Sequence, residues 1–285
     1  MAIKTMLVPL DGSAGGEAIL DTAFALARRF TAHVDVLHVR LPSDPLHSVV
    51  EGWWLSDETK QWVLETAGRA AAEAAAKVRA TFHDYCAARG IAIAETPPSP
   101  EAVSAAWHEA AGWEATVVAE RGRLADLIVV RRPSGEQPLP TTVEAALLET
   151  RRPIFVAPPA PPGRLGANIA IGWNGSAEAA GAIAAALPFL AAAERVTVLT
   201  ARDGAPAAPE DLVRHLAWHG IAAAAQTFET RRQSVGEALL AEAQRRGADL
   251  LVLGGYGRSR TREMILGGVT RHVLAASDIP LLMSH

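Results

Sequence analysis

The stretch that decides the fold is Asp249-Leu250-Leu251-Val252-Leu253-Gly254-Gly255-Tyr256-Gly257, and the pair Gly267-Gly268 follows after nine further residues. An apolar run without polar alternation is typical of a strand that is covered on both faces of a parallel sheet. A glycine-rich turn between such a strand and an amphipathic helix exposes backbone N–H groups that can hold a phosphate. The stretch therefore predicts a strand, an anion-binding turn and a helix.

The same plan occurs twice in the 285 residues. Residues 126–130 align with 249–253, and residues 8–14 align with 171–177, where each half begins with a strand and a polar turn. In both halves, apolar runs alternate with Ala-rich helical segments, which indicates parallel strands joined by right-handed crossovers. The sequence therefore predicts the α/β class, with two tandem doubly wound, Rossmann-like domains that each contain a five-stranded parallel sheet.

The Pro-rich segment 158–166 is expected to link a first domain, residues 1–157, to a second domain, residues 167–285. Proline cannot continue a helix or a central strand, so such a segment favours an extended and fairly stiff linker. The strands are expected near residues 3–10, 34–40, 91–95, 126–130 and 153–157 of the first domain, and near 168–173, 195–200, 221–227, 249–253 and 279–283 of the second.

Composition and charge exclude several classes of protein. The formal net charge is −4 with both signs interspersed, which predicts neither a nucleic-acid partner nor a membrane-surface patch. The one cysteine, Cys86, cannot form an internal disulfide, which fits a reducing compartment. No apolar run approaches the roughly 20 residues that span a bilayer, and residues 1–13 lack the features of a signal peptide. We therefore expect a cytoplasmic protein.

The second half carries the residues with the strongest chemical signal. The carboxyl ends of its first and fourth strands would bring Asn174 next to the glycine-rich turn, where open α/β sheets bind ligands. Glycines allow close approach of the backbone to a phosphate, and a helix that starts at Gly267 or Gly268 would direct free N–H groups to the same anion. The predicted nucleotide-binding residues are Asn174, Thr200, Gly254, Gly257, Arg258, Ser259, Gly267, Gly268, Val269 and Thr270.

These residues resemble the motif of the universal stress protein family, in which GxxG is followed, nine residues later, by Gly and then Ser or Thr. Gly268 stands where the family has the hydroxyl residue, and the resemblance covers essentially the whole chain as two copies. It implies ATP or another adenine nucleotide as the ligand, with or without Mg²⁺. The turn would hold ribose and phosphates. In the family an acidic residue at the end of the first strand lies near the adenosine, and Asn174 stands at that position here.

The resemblance also implies how the two halves associate. Family members pair their last strands antiparallel, which in this chain would join Ile154–Val156 to Leu281–Met283 and hide two sheet edges. The chain would then form an intramolecular pseudo-dimer, and a homodimer of two chains stays open.

The first half keeps Asp11 but lacks the glycine-rich turn. Residues 131–140 contain three prolines, which fix φ and lack N–H donors, so this phosphate loop is expected to be degenerate and the first domain not to bind nucleotide. The extra length of this half is attributed to a loop that holds Trp53 and Trp54 and to a long helix near residues 57–89.

The leading hypothesis is a tandem universal stress protein whose second domain binds an adenine nucleotide as a regulatory ligand in a stress response. One alternative is a nucleotide-independent stress protein that binds a protein partner or an apolar ligand through the loop with Trp53 and Trp54. Another is a slow ATPase or autophosphorylating enzyme with Ser259 or Thr270 as phosphoacceptor. The sequence predicts no catalytic residue and no metal ligand set, because it contains no GxSxG, HExxH or GxxxxGK motif.

Overall fold

The computed structural model describes residues 2–13, 15–40, 56–96, 102–133, 140–161, 163–202, 208–230, 232–255 and 268–285. Seven of the residues named above lie outside these ranges: Trp53, Trp54, Tyr256, Gly257, Arg258, Ser259 and Gly267. Most of the loop 131–140 lies outside them as well.

The described ranges hold eleven strands and eight helices. The first half contains β1 (Thr5–Pro9), α1 (Gly16–Phe30), β2 (His33–Arg40), α2 (Asp57–Arg89), β3 (Ala92–Ile93), β4 (Ser104–Ala111), α3 (Glu114–Gly122), β5 (Leu127–Arg131), α4 (Thr141–Glu149) and β6 (Ile154–Ala157). The second half contains β7 (Asn168–Gly172), α5 (Ala177–Leu190), β8 (Arg195–Ala201), α6 (Pro209–Trp218), β9 (Ala223–Phe228), α7 (Val235–Arg245), β10 (Leu250–Gly254), α8 (Gly268–Ala276) and β11 (Leu281–Ser284).

All the strands belong to one sheet, in the order β3-β4-β2-β1-β5-β6-β11-β10-β7-β8-β9. Neighbours within each half are parallel, whereas β6 and β11 pair antiparallel, with Val156 opposite Leu281 and Ile154 opposite Met283. This pairing confirms the predicted pseudo-dimer. It also removes the free backbone groups that β6 and β11 would otherwise expose at two sheet edges.

The prediction of five strands per half is correct for the second half and wrong for the first, which has six. The additional strand is β4, which pairs with β2 from His33↔Ser104 to Arg40↔Ala111. Its sequence, SAAWHEAA, is rich in residues that are uncommon in strands, and pairing with a long neighbour overrides that weak preference. The strand expected near residues 91–95 is reduced to β3, a two-residue strand at the edge.

Helices cover both faces of the sheet. The helices α1, α2, α5 and α6 pack on one face, with Phe189 at the centre of that core, and α3, α4, α7 and α8 pack on the other, which includes Leu147. Successive strand residues serve opposite faces: Val252 belongs to the first core, and Leu251 and Leu253 belong to the second. Burial on both faces explains why β10 is an uninterrupted apolar run. Over the described ranges, no helix combines the length and apolar character needed to cross a membrane.

Arg29 of α1 connects the two halves on the first of these faces. Its guanidinium donates to the carbonyl oxygens of Leu165 and Phe189, the latter at 3.2 Å, and it lies 5.5 Å from the centre of the Phe189 ring. We expect Arg29→Met, which keeps an apolar stem but leaves these carbonyls without the donor, to lower the free energy of unfolding by about 1–3 kcal/mol. Urea unfolding of the whole chain measures this value. The neighbouring exposed Arg28→Met is the control, and equal losses for both variants would contradict the connecting role of Arg29.

Candidate functional site

A cavity of about 270 Å³ lies at the carboxyl ends of β7, β8 and β10, beside the first residues of α8. We call it the second-half cavity. Five of the predicted nucleotide-binding residues line it together: Asn174, Gly254, Gly268, Val269 and Thr270. These residues come from three separate segments of the chain, and the parallel arrangement of β7 and β10 brings the first two side by side.

Thr200 is the described residue of the predicted set that does not line this cavity. Its neighbours Leu199 and Ala201 do, and side chains alternate between the two faces of a strand, so Thr200 faces the opposite layer. Thr200 is 5% exposed, and its hydroxyl has no hydrogen-bond partner among the described residues.

Gly254 is required by the close approach of the first turn of α5. A Cβ atom at this position would overlap the backbone nitrogen of Ala179 and would lie 2.6 Å from the carbonyl carbon of Glu178. Both contacts are with backbone, which cannot rotate away as a side chain can. Any residue other than glycine at the end of β10 would therefore displace the start of α5.

The turn from Asn174 to Ser176 leads into α5 and fixes the position of the first turn of that helix. The Oδ1 atom of Asn174 accepts a hydrogen bond from the backbone N–H of Ser176 at 3.1 Å, and Gly175 between them has a φ of 74°. Ser176 is the N-cap of α5, and its hydroxyl oxygen accepts a hydrogen bond from the N–H of Ala179 at 3.1 Å. The turn therefore satisfies backbone donors at this helix end and holds Asn174 at the cavity.

One section of the cavity is apolar, and sequence reasoning missed it. The section is formed by Leu199, Ala201, Phe228, Val235 and Leu239. The alternation along β8 could have identified the first two. The other three come from β9 and α7, which only the folded sheet brings to the same place.

A capping box fixes the start of α7, and with it the apolar section. The hydroxyl oxygen of Ser234 accepts from the N–H of Glu237, and the carboxylate of Glu237 accepts from the N–H of Ser234 at 2.7 Å. The hydrogen bond from the backbone N–H of Ser234 lowers the pKa of Glu237. Val235, the first residue of the helix, is thereby held against the cavity.

Trp173 is a further lining residue that the sequence analysis did not identify. Its backbone N–H donates to the carbonyl oxygen of Leu199 at 2.9 Å, which places it at the border of the apolar section. Its indole nitrogen is buried and has no hydrogen-bond partner in the part of the chain that the structure describes.

The matching place in the first half is filled by charged side chains. Arg131 ends β5 as Gly254 ends β10, and its Nη1 atom lies 3.6 Å from the position that a Cβ of Gly15 would take. The Nη2 atom of Arg131 lies 3.6 Å from Oδ2 of Asp11. Arg131 thus runs beside Gly15 at the start of α1, whereas the backbone of Glu178 and Ala179 at the start of α5 leaves room only for a glycine at the end of β10.

Electrostatics separate the two cavities further. The first-half cavity, of about 140 Å³, is lined by four charged residues, Asp11, Glu114, Arg131 and Arg132. Burial would raise the pKa of Asp11, but hydrogen bonds from Ser13 and the charge of Arg131 together hold it below its ordinary value. Burial, and then the negative charge of Asp11, raises the pKa of Glu114. In contrast, none of the described residues that line the second-half cavity is charged.

The second-half cavity therefore combines backbone at Gly254 and Gly268, polar side chains at Asn174 and Thr270, and an apolar section. This combination suits a ligand with an anionic end and a flat apolar end. Across the described ranges, no group of three or more His, Cys, Asp or Glu residues has an arrangement that could hold a metal ion.

Comparison with known proteins identifies the family. The model of the universal stress protein family matches residues 2–135 and 167–285, and no curated protein gives a significant match. Among solved structures, a universal stress protein from Archaeoglobus fulgidus DSM 4304 is similar, with a TM-score of 0.72 and 17% identity over 98% of this chain and 97% of that chain. A putative universal stress protein from Pseudomonas aeruginosa UCBPP-PA14 has a TM-score of 0.59 and 16% identity over 99% and 93% of the two chains. The chain therefore belongs to the universal stress protein family and carries two of its domains in tandem.

Proposed function

We propose that the second half binds a nucleotide, with ATP or another adenine nucleotide as the first candidate, and that the nucleotide acts as a regulatory ligand in a stress response. The observation that carries the proposal is the convergence of Asn174, Gly254 and the start of α8 on one cavity. A β-strand, a glycine and a helix N-terminus in this order provide the backbone donors and the helix dipole that phosphates need.

Each part of the cavity has a use in this proposal. The apolar section, with Phe228 and Leu239, would hold the base, because flat apolar rings gain free energy when they leave water. Backbone at Gly254 and Gly268 would approach the phosphates, and no atom of the described residues lies within 4 Å of the Cβ position of Gly268. A Mg²⁺ ion would enter with the polyphosphate, since proteins commonly hold this ion through substrate phosphates.

We further propose that the first domain, residues 1–157, does not bind nucleotide in this way. The guanidinium of Arg131 and the carboxylate of Asp11 occupy the place that the phosphates would need. The proposed linker, residues 158–166, then separates this domain from a second, nucleotide-binding domain at residues 167–285. The cytoplasmic location and the homodimer are further proposals, which cell fractionation and light scattering test.

Isothermal titration calorimetry of the whole chain with ATP, ADP and cyclic AMP tests the proposed site. We expect binding of at least one of them, and we expect Gly268→Ser to tighten it by about three- to tenfold, because a hydroxyl adds one hydrogen bond to the phosphates. Among the described residues, no atom lies within 4 Å of the Cβ position of Gly268, so a side chain fits there beside them.

The matched control is Gly163→Ser, at a glycine with equally open surroundings that lies away from the cavity. It should leave the affinity unchanged. If none of the three nucleotides binds at millimolar concentration, the proposed function is wrong.

A further inference from the structure

The side-chain amide of Asn174 has a fixed orientation. Its Oδ1 atom accepts a hydrogen bond from the backbone N–H of Ser176, and only the oxygen of an amide can accept from such a donor. The Nδ2 group therefore lies on the other side, and within the described ranges no residue accepts a hydrogen bond from it. Because Asn174 is exposed and lines the second-half cavity, Nδ2 is available to a ligand as a donor.

Asp11 is the residue of the first half that matches Asn174, and it shows which hydrogen-bonding atoms a carboxylate offers in this turn. Its Oδ1 atom accepts from the backbone N–H of Ser13 at 2.9 Å, as Oδ1 of Asn174 accepts from Ser176. Its other oxygen, Oδ2, faces Arg131, a donor. The two turns share one fixed oxygen and differ in the remaining atom, which accepts in Asp11 and donates in Asn174. Asn174 therefore requires a hydrogen-bond acceptor as its partner, whereas Asp11 requires a donor.

Trp173, the preceding residue, does not add a second donor to the cavity. Its side chain packs against the core on the other face of the sheet, the one that contains Phe189, so its indole nitrogen points away from the apolar section. Asn174 therefore supplies the side-chain donor on which the inference rests.

We infer that the second-half cavity selects a nucleotide that presents a hydrogen-bond acceptor to Asn174, namely a purine with a carbonyl group, rather than an amino group, on the facing edge. This inference rests on the proposed nucleotide site: adenine nucleotides bind there as proposed above, and a purine with the carbonyl group binds more tightly. Asn174 lies between the apolar section and Gly254, so the edge of a ring held in that section meets Nδ2. Where the group at position 6 of the purine ring meets Nδ2, a carbonyl oxygen accepts its hydrogen bond, whereas an amino group would place a donor against a donor.

The test compares ATP with inosine triphosphate (ITP), whose purine carries a carbonyl where ATP carries the amino group. Dissociation constants of both are measured by calorimetry for the wild-type chain and for Asn174→Asp. We expect the wild type to bind ITP about three- to tenfold more tightly than ATP, and Asn174→Asp to reverse the preference by a similar factor. The added charge repels both triphosphates equally, so the ratio of the two constants reports the hydrogen bond alone.

The first half indicates that Asn174→Asp will fold, because Asp11 already occupies this turn with the same backbone hydrogen bond. Asp11→Asn is the matched control and should leave the ratio unchanged. A wild-type preference for ATP, or the same ratio in the wild type and Asn174→Asp, would overturn the inference while leaving the nucleotide site in place. Failure of the wild type to bind either triphosphate would overturn the proposed function, and the inference with it.

Discussion

Phe155→Ala is expected to lower the free energy of unfolding by about 3–5 kcal/mol, the usual range for the removal of a buried aromatic ring. Phe155 is completely buried in β6, opposite Leu282 of β11, and its ring stacks on that of Phe189 with 6.1 Å between centres. It therefore contacts the second half through both the sheet and α5. A cavity at this place weakens the contact between the halves as well as the core of the first half.

Chemical unfolding of the whole chain, followed by circular dichroism, measures the effect. The control is Leu124→Ala, because Leu124 is 85% exposed and its truncation should change stability by no more than about 0.5 kcal/mol. A loss below about 1 kcal/mol for Phe155→Ala would mean that the ring does not hold the halves together as the structure describes.

Gly254→Ala is expected to cost about 1–3 kcal/mol of stability, since the added methyl group overlaps the backbone of α5. The helix must move, and the turn that holds Asn174 at the cavity moves with it. We therefore also expect nucleotide affinity to fall at least about tenfold, which corresponds to 1.4 kcal/mol of binding free energy. Thermal unfolding and calorimetry measure the two effects on the same preparation.

Gly68→Ala is the matched control for stability. Gly68 is an exposed residue of α2, and no atom of the described residues lies within 4 Å of its Cβ position. Alanine should therefore stabilise the chain by about 0.5–1 kcal/mol through its higher helix propensity. If Gly254→Ala lowers the stability and Gly68→Ala raises it, the loss at residue 254 comes from the nearby backbone of α5 and not from replacing a glycine as such. A stable Gly254→Ala protein with unchanged affinity would contradict this account.

The sequence was sufficient to predict the parts of the fold that depend on local signals. The apolar runs that become β5 and β10 follow from burial on both faces and from the internal repeat. The pairing of residues 154–156 with 281–283 was predicted from the resemblance to the family. Strand β4 could not be predicted in this way, because its four alanines and its glutamate carry no strand signal. It is a strand because β2 offers eight residues to pair with, and that information lies far away in the chain.

The candidate site, too, could be predicted from the sequence only in part. Glycine spacing predicted Gly254 and Gly268, and the repeat predicted Asn174, and all three line one cavity. The residues Trp173, Phe228 and Val235 were missed, because they meet only when three strands and a helix assemble. The sequence also gave no indication that Arg131 lies beside Gly15 at the start of α1, since no motif connects these two distant residues.

The antiparallel contact of β6 with β11 has a consequence for how such a protein can change over evolutionary time. In an assembly of two identical subunits, every substitution appears twice, so a residue that closes one crevice closes its symmetry mate too. Covalent fusion of the two copies lifts that restriction. One half can then carry an arginine at the end of its fourth long strand, as at Arg131, while the other keeps the glycine, as at Gly254. A single molecule can in this way combine one half that has a structural role with another that is specialised for sensing.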